Sequence, residues 1–454
     1  MLQAGASVVT ITPPLGGPVA GLFERREAVT VADELFARAL VFDDGRTRLA
    51  LVLCDLICIS GASVGAARDR IAARCNIPAS HVMISCTHTH TGPATTGLLG
   101  IAPNAPYLDW LAGQIADAVA IACTRLIPAR VAYGATAVEG ICFNRRFRMR
   151  DDTVVFNPGI GNPDIIGPVG PTDPEVTALL VEDEAGRPIA LWANLSLHYV
   201  GTDDPLAISA DYYGHFARDV SRTLGPECIG LLTNGTSGDI NNVDVTRAVE
   251  EQGTTRARLV ATTVAAAAIA ATMMQRRDGE AALDARTVPF PVARRPITDG
   301  DVRLAEAILA DPAGPTPTQS SAFSFVVGQP IPAHQVRTYA DEVLELARMP
   351  DERTTEVQVM CVGDFAIVAL SGEIFVEFGL AIKAGSPFAR TAVVSLANDY
   401  IGYIPTMEAF GQGGYETWAA RSAWSAPGTG ERMVKETLAQ LRELKSGPPV
   451  DMQA

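Results

Sequence analysis

The feature that most constrains this chain is an alternation of two periodicities. Short apolar, β-branched runs recur along it, and stretches of helical period separate them. Runs at Ser7–Ile11, Ala37–Phe42, Leu49–Ile59, Val82–Cys86, Val176–Val181, Ile189–Leu197, 228–232, 355–370 and 391–396 read as strands. Residues 62–74, 107–125, 212–223, 254–275, 299–310, 335–347, 375–384 and 429–444 read as helices. In 107–125, Leu108, Leu111, Ile115, Val119 and Ala122 fall at spacings of three and four, which gives one apolar face. Such alternation predicts an α/β fold, with a mixed central sheet flanked by helices.

A chain of 454 residues makes two or three domains or one large α/β unit. Residues 1–275 and 355–454 are expected to form one domain together. The more polar stretch 276–354 is expected to be an insertion or small subdomain. The Pro/Gly-rich segment 157–174 reads as a surface loop or lid without regular structure. A net charge of −15 offers no basic footprint for nucleic acid or anionic membranes. The apolar stretch Leu259–Met274 is mostly Ala and Thr and reads as a buried helix rather than a membrane span. The first residues show neither a basic nor an apolar leader region. Eight cysteines form no C-x-x-C pair and sit mostly in apolar runs. They are expected to be buried free thiols in a reducing compartment, the cytoplasm. Oligomeric state leaves no mark in the sequence.

Five of the apolar runs end in polar loops, where α/β folds build their sites. Val82–Cys86 leads into Thr87-His88-Thr89-His90-Thr91-Gly92-Pro93. In an extended segment residues i and i+2 point the same way, so His88 and His90 are expected to face one cavity. By themselves they suit metal binding or an ordinary polar role. His198 ends the run Ile189–Leu197, as a loop ligand or a satisfied core histidine. Glu373 follows Phe365–Leu370, as a ligand or a helix-first-turn acid. The aromatic segment 398–406 follows the strand at 391–396. The loop 233–242 (TNGTSGDINN) has the composition to offer N–H groups to an oxyanion or to orient ligands.

Taken together and in order, these blocks resemble the neutral (non-lysosomal) ceramidase family in its N-terminal catalytic domain. THTHTGP at 87–93 resembles that family's THTHSGP. Phe143-Asn144-Arg145-Arg146, Ile208-Ser209-Ala210-Asp211, Gly238-Asp239 and Ser371-Gly372-Glu373 each resemble one of its motifs. So does the run from Tyr400 to Tyr415, with Tyr403 and Tyr415 twelve residues apart. The resemblance implies a zinc ion held by His88, His198, Glu373 and Tyr403, with His90, Arg145 and Tyr415 lining the substrate side. It implies hydrolysis of a C–N amide bond, in an N-acyl or ceramide-like compound or a smaller soluble or cyclic amide, by metal-activated water. Asp55 and Asp239 are candidates for orienting a ligand histidine.

The match has departures. After Asp239 come Ile240 and Asn241, with neither the serine nor the proline of the family's G-D-V-S-P-N. The chain ends at about the point where ceramidases continue into a C-terminal β-sandwich domain. Neither a basic amphipathic helix nor a positive surface supports a lipid substrate or stable membrane insertion, so a smaller amide is as well supported as ceramide. An esterase or lactonase with the same zinc site, and a non-catalytic ligand-binding relative, are the alternatives. A serine hydrolase would need G-x-S-x-G, and Gly235-Thr236-Ser237-Gly238-Asp239 lacks the final glycine.

Overall fold

The apolar runs do form strands, and these assemble into two sheets packed face to face. A computed structural model describes residues 1–22, 25–247, 252–311 and 329–446. The larger sheet has eight strands, in the order Ile229–Asn234, Pro188–Leu195, Glu175–Asp183, Ile127–Ala137, Gln3–Thr10, Phe36–Asp43, Arg48–Cys54 and Val82–Cys86. Its inner pairs are antiparallel. The outermost pair at each edge is parallel, because a helix intervenes in the chain: Asp211–Leu224 at one edge and Gly61–Cys75 at the other. The smaller sheet has four strands, Leu283–Ala293, Glu352–Val362, Phe365–Leu370 and Arg390–Val394. Its last pair is also parallel, across the helix Val376–Gly385.

Apolar side chains fill the space between the sheets. Leu40, Phe42, Leu51, Trp192 and Leu231 of the larger meet Met360, Phe365, Ile367 and Val394 of the smaller. The outer face of the larger sheet is covered by Gly61–Cys75 and Ala105–Thr124 on one half, and by Asp211–Leu224 and Gly253–Met273 on the other. Asp299–Ala310, Val336–Arg348, Val376–Gly385 and Thr429–Ser446 cover the smaller sheet. The layers run helix, sheet, sheet, helix, which is the predicted class with a second sheet added. Gly253–Met273 is long and apolar enough to cross a bilayer. Here Val260, Val264 and Ala268 pack in the core with Leu180 and Val220, as the sequence suggests.

Three boundaries differ from expectation. Leu283–Ala293 lies inside the stretch read as an insertion, yet it pairs along its whole length with Glu352–Val362. Its apolar alternation places Leu283 in the core between the sheets. The segment 157–174 contains a strand, Ile165–Pro168, which pairs with Arg146–Met149. Pro168 ends that strand, so its missing N–H breaks no ladder inside it. The run at Leu49–Ile59 ends at Cys54, because the Asp55 carboxylate accepts the Phe36 amide (2.9 Å) and closes the ladder. The eight cysteines are unpaired, and all but the half-buried Cys123 are buried.

Candidate metal centre

The parallel edges deliver the C-terminal ends of their strands to one place, where open α/β sheets bind ligands. Val82–Cys86 is followed by His88, Pro188–Leu195 by His198, Phe365–Leu370 by Glu373, and Arg390–Val394 by the loop carrying Tyr403. Residues 395–398 fasten the two sheets together there. Ser395 N donates to Asn234 O (3.0 Å), Cys86 N to Leu396 O (3.2 Å) and Asn398 N to Ile84 O (2.8 Å).

His88 leaves its strand in the left-handed region, at φ 73°. A residue with a Cβ takes that conformation only where its surroundings demand it. The His88 amide donates to Leu56 O (2.8 Å). This turn, rather than strand alternation, aims His88 and His90 into one cavity, with ring centroids 4.8 Å apart. The Thr89 and Thr91 hydroxyls both donate to Ser209 O (2.6 and 3.1 Å), which ties the loop to Ile208-Ser209-Ala210-Asp211.

Hydrogen-bond direction decides which ring nitrogens are available. A carbonyl only accepts, and a guanidinium only donates. His88 Nδ1 lies 2.7 Å from Ile57 O, so Nδ1 carries a proton and Nε2 is the atom turned toward Glu373. His90 Nδ1 lies 2.7 Å from Gly21 O, so it too carries a proton. His198 Nδ1 lies 2.9 Å from Arg145 Nη1 and must accept. Its Nε2 then donates to His90 Nε2 at 2.8 Å. The donors run one way, from Arg145 through His198 and His90 to Gly21. Burial, reinforced by His88, pushes His90 down to about 3 and His198 well below its usual value. Both rings are therefore neutral at pH 7, the form that ligates metal.

Glu373 completes the cluster. Its Oε2 stands 3.4 Å from His88 Nε2, and neither atom has a hydrogen-bond partner. Tyr400 Oη donates to Glu373 Oε1 (2.9 Å), and Tyr403 helps to keep this carboxylate ionised. Burial opposes ionisation of Glu373, but His88, Arg145 and Tyr403 outweigh it and hold the carboxyl at about 2. A buried ring nitrogen facing a buried carboxylate oxygen, with no hydrogen bond made by either, is costly unless a cation lies between them. Imidazole, carboxylate and phenol donors in this set fit Zn²⁺ or a similar divalent ion. One nitrogen from each of His88, His90 and His198 lies within 4.8 Å of the others. His90 thus sits in the histidine cluster as well as beside the substrate space.

Arg145 is held from several sides. Its amide donates to Asp239 O (2.9 Å), its Nε to Glu416 Oε1 (2.8 Å) and its Nη2 to Gly238 O (2.7 Å). The rings of Phe156, Tyr403 and Tyr415 surround the guanidinium at 5.1, 5.4 and 5.8 Å. Glu416 is fully buried, and its Oε2 accepts from Arg146 Nη1 (2.9 Å). Tyr415 stacks edge-on with Tyr403 at 5.6 Å and hydrogen-bonds it.

Two expectations are corrected. Asp55 pairs with Arg38 (2.7 Å), and Asp239 accepts from Asn144 Nδ2 (2.7 Å) and Val376 N (2.9 Å), so neither orients a ligand histidine. Carbonyls of Ile57 and Gly21, and the Arg145 side chain, do that instead. In the loop 233–242, the amides of Gly235, Gly238 and Ile240 already donate to Leu195, Ile374 and Ser237 carbonyls. These donors are not free for an oxyanion, and the loop holds Arg145 through the Gly238 and Asp239 carbonyls. Three contributors escape sequence reasoning. Tyr400 and Glu416 lie within or beside the aromatic run and carry no label there. Gly21 acts through its carbonyl, and only its left-handed φ of 103° marks it. A Cβ on Gly21 would lie 2.8 Å from His90.

Comparison with solved structures identifies the architecture. The crystal structure of neutral ceramidase from Pseudomonas aeruginosa aligns with a TM-score of 0.73 at 17% identity, covering all of this chain and 76% of that one. A ceramidase complexed with C2 aligns with a TM-score of 0.73 at 18% identity and the same coverage. No protein-family profile and no curated protein matches the sequence. Likeness at this identity speaks for architecture, and the fold of this chain is the neutral ceramidase fold.

Proposed function

We propose that this protein is a zinc-dependent hydrolase of amide bonds. The observation that carries the reading is the unpartnered pair His88 Nε2 and Glu373 Oε2, buried beside two neutral imidazoles. The ceramidase architecture supports it. His88, His198, Glu373 and Tyr403 would hold the ion, with His90 at its edge. His198 would serve through Nε2 in its other tautomer, with the proton on Nδ1, which requires Nδ1 to part from Arg145. Zinc supplies Lewis acidity and lowers the pKa of bound water to about 7.

The chain's own residues do the rest. Tyr415, with the guanidinium behind it, faces the space where a carbonyl oxygen would gain charge. Removing one such donor typically costs on the order of 10²–10³ in rate. His90, fixed at Nδ1 by Gly21, would exchange a proton with a leaving amine through Nε2 once that atom is released by His198.

The test is elemental analysis of the purified protein and of His88→Ala, followed by a panel of amides and matched esters. About one equivalent of zinc in the parent, lost in the variant, with amide turnover, supports the reading. A parent that takes up no metal on zinc reconstitution sinks it. Turnover confined to esters would reassign the same site to an esterase or lactonase.

A further inference from the structure

Two cavities meet at the histidine cluster, and both are bounded by Gly21, Leu22, His90, Tyr403 and Tyr415. The first lies on the His88 and Glu373 side and measures about 70 Å³. Ile57, Leu98, Leu99 and Ile101 give it an apolar wall. One water-sized group needs about 10–15 Å³ on this measure, so the cavity itself has room for a few heavy atoms. The second lies on the His198 and Arg145 side and measures about 320 Å³. Side-chain carboxamides line it: Asn157, Asn241, Asn242, Gln329 and Gln335. Phe156, Tyr415 and Trp418 add aromatic surface.

The carboxamides are only partly engaged. Asn157 Oδ1 accepts from Asn241 Nδ2 (2.9 Å), and Gln329 Oε1 accepts from the Phe156 amide (2.9 Å). Among the described residues, these bonds leave Asn157 Nδ2 and Gln329 Nε2 for a ligand. Among the described residues, Arg145 is the only Lys, Arg, Asp or Glu on this wall, and its charge is matched by Glu416. Carboxamides both donate and accept, so they complement hydroxyl groups. Aromatic faces complement the C–H surface between hydroxyls. An alkyl chain placed there would strip water from these amides without replacing the hydrogen bonds they lose.

Resting on the amide-hydrolase reading, we infer that the substrate class is a short-chain N-acyl derivative of an uncharged, polyhydroxylated amine. The acyl group, a few carbons long, occupies the Ile57–Ile101 cavity. The polyol portion occupies the carboxamide cavity. The scissile C–N bond lies between them at the histidines.

The experiment uses zinc-reconstituted protein and four amides: N-acetyl and N-octanoyl glucosamine, and N-acetyl and N-octanoyl hexylamine. The expected kcat/KM for N-acetylglucosamine exceeds that for either octanoyl compound, and for N-acetylhexylamine, by at least tenfold. Gln329→Leu shrinks the preference for the sugar over hexylamine, and Leu98→Ala narrows the gap between acetyl and octanoyl. Calorimetric binding of N-acetylglucosamine to His88→Ala gives a readout that needs no turnover. Equal or better hydrolysis of the octanoyl or hexylamine compounds overturns the inference and leaves the hydrolase reading standing. Sugar binding without turnover of any amide supports the cavity assignment and sinks the hydrolase reading. Absence of sugar binding, with amide turnover elsewhere in the panel, overturns the cavity assignment alone.

Discussion

His88 Nε2 and Glu373 Oε2 face each other across 3.4 Å in the protein interior, one from each sheet, and neither has another partner. A cation that satisfies both binds the folded chain and has no such site in the unfolded one. Saturation at 1,000 times Kd would stabilise the fold by about 4 kcal/mol. Chelation is therefore expected to lower the Tm of the parent by several degrees and to leave Glu373→Gln nearly unmoved. Parallel melting curves with and without chelator, for both proteins, check this.

Tyr400 donates to the other oxygen of Glu373 at 2.9 Å. A group that orients a metal ligand typically contributes 10–100-fold to affinity. Tyr400→Phe is expected to weaken zinc binding by that factor while the fold stays intact. A competition titration against a chromogenic chelator measures it, and unchanged affinity would remove Tyr400 from the site.

Glu416 is the buried counter-ion of both Arg145 and Arg146. Breaking a buried pair leaves an uncompensated charge and costs about 3–5 kcal/mol. Glu416→Gln is expected to fall in that range by urea unfolding. It should also cut turnover, because Arg145 loses the anchor on its Nε.

Gly21 lets the His90 ring approach the backbone. Gly21→Ala places a Cβ 2.8 Å from His90 at a φ of +103°, and such strain costs about 1–3 kcal/mol. The expected result is a loss of kcat of at least tenfold with only a modest fall in Tm. A fall in Tm with kcat unchanged would show that the Gly21 carbonyl does not set the position of His90.

Asp211, at φ 52°, accepts from the Gly201 and Tyr212 amides and holds the turn after His198. Burial raises its carboxyl from 3.8 to about 7, against the pull of those amides. Its folded pKa lies above the unfolded one, so its contribution is full below about pH 4 and is lost as pH rises through 7. Between these limits the parent's Tm should fall relative to that of Asp211→Asn. A constant difference between the two curves across that range would reject the assignment.

The legible and illegible parts of the site differ in kind. His88, His198 and Glu373 announce themselves because each is a polar residue set just past an apolar run. The helix Ala105–Thr124 is equally plain, since Leu111, Ile115 and Val119 are its buried face. What stays hidden is carried by the backbone or by distance. Carbonyls of Gly21 and Ile57 fix the tautomers of His90 and His88, and a carbonyl has no sequence signature. Arg145 reaches His198 across 53 positions. The strand Leu283–Ala293 hides for another reason. Its prolines at 289 and 291 lower its strand signal, and only the neighbouring Glu352–Val362 shows that it belongs to a sheet.

The bridge at residues 395–398 has a wider meaning. It joins the end of Ile229–Asn234 to the edge strand Val82–Cys86, while its own chain belongs to the other sheet. The donors that would hold an ion are thus shared between two plates stitched together beside the site. A small slide of one plate over the other would spread His88 from Glu373 without bending any strand. Repacking of residues such as Phe365 or Trp192, deep between the plates, would then register as a change in metal affinity, and the centre would serve as a gauge of the alignment of the whole sandwich.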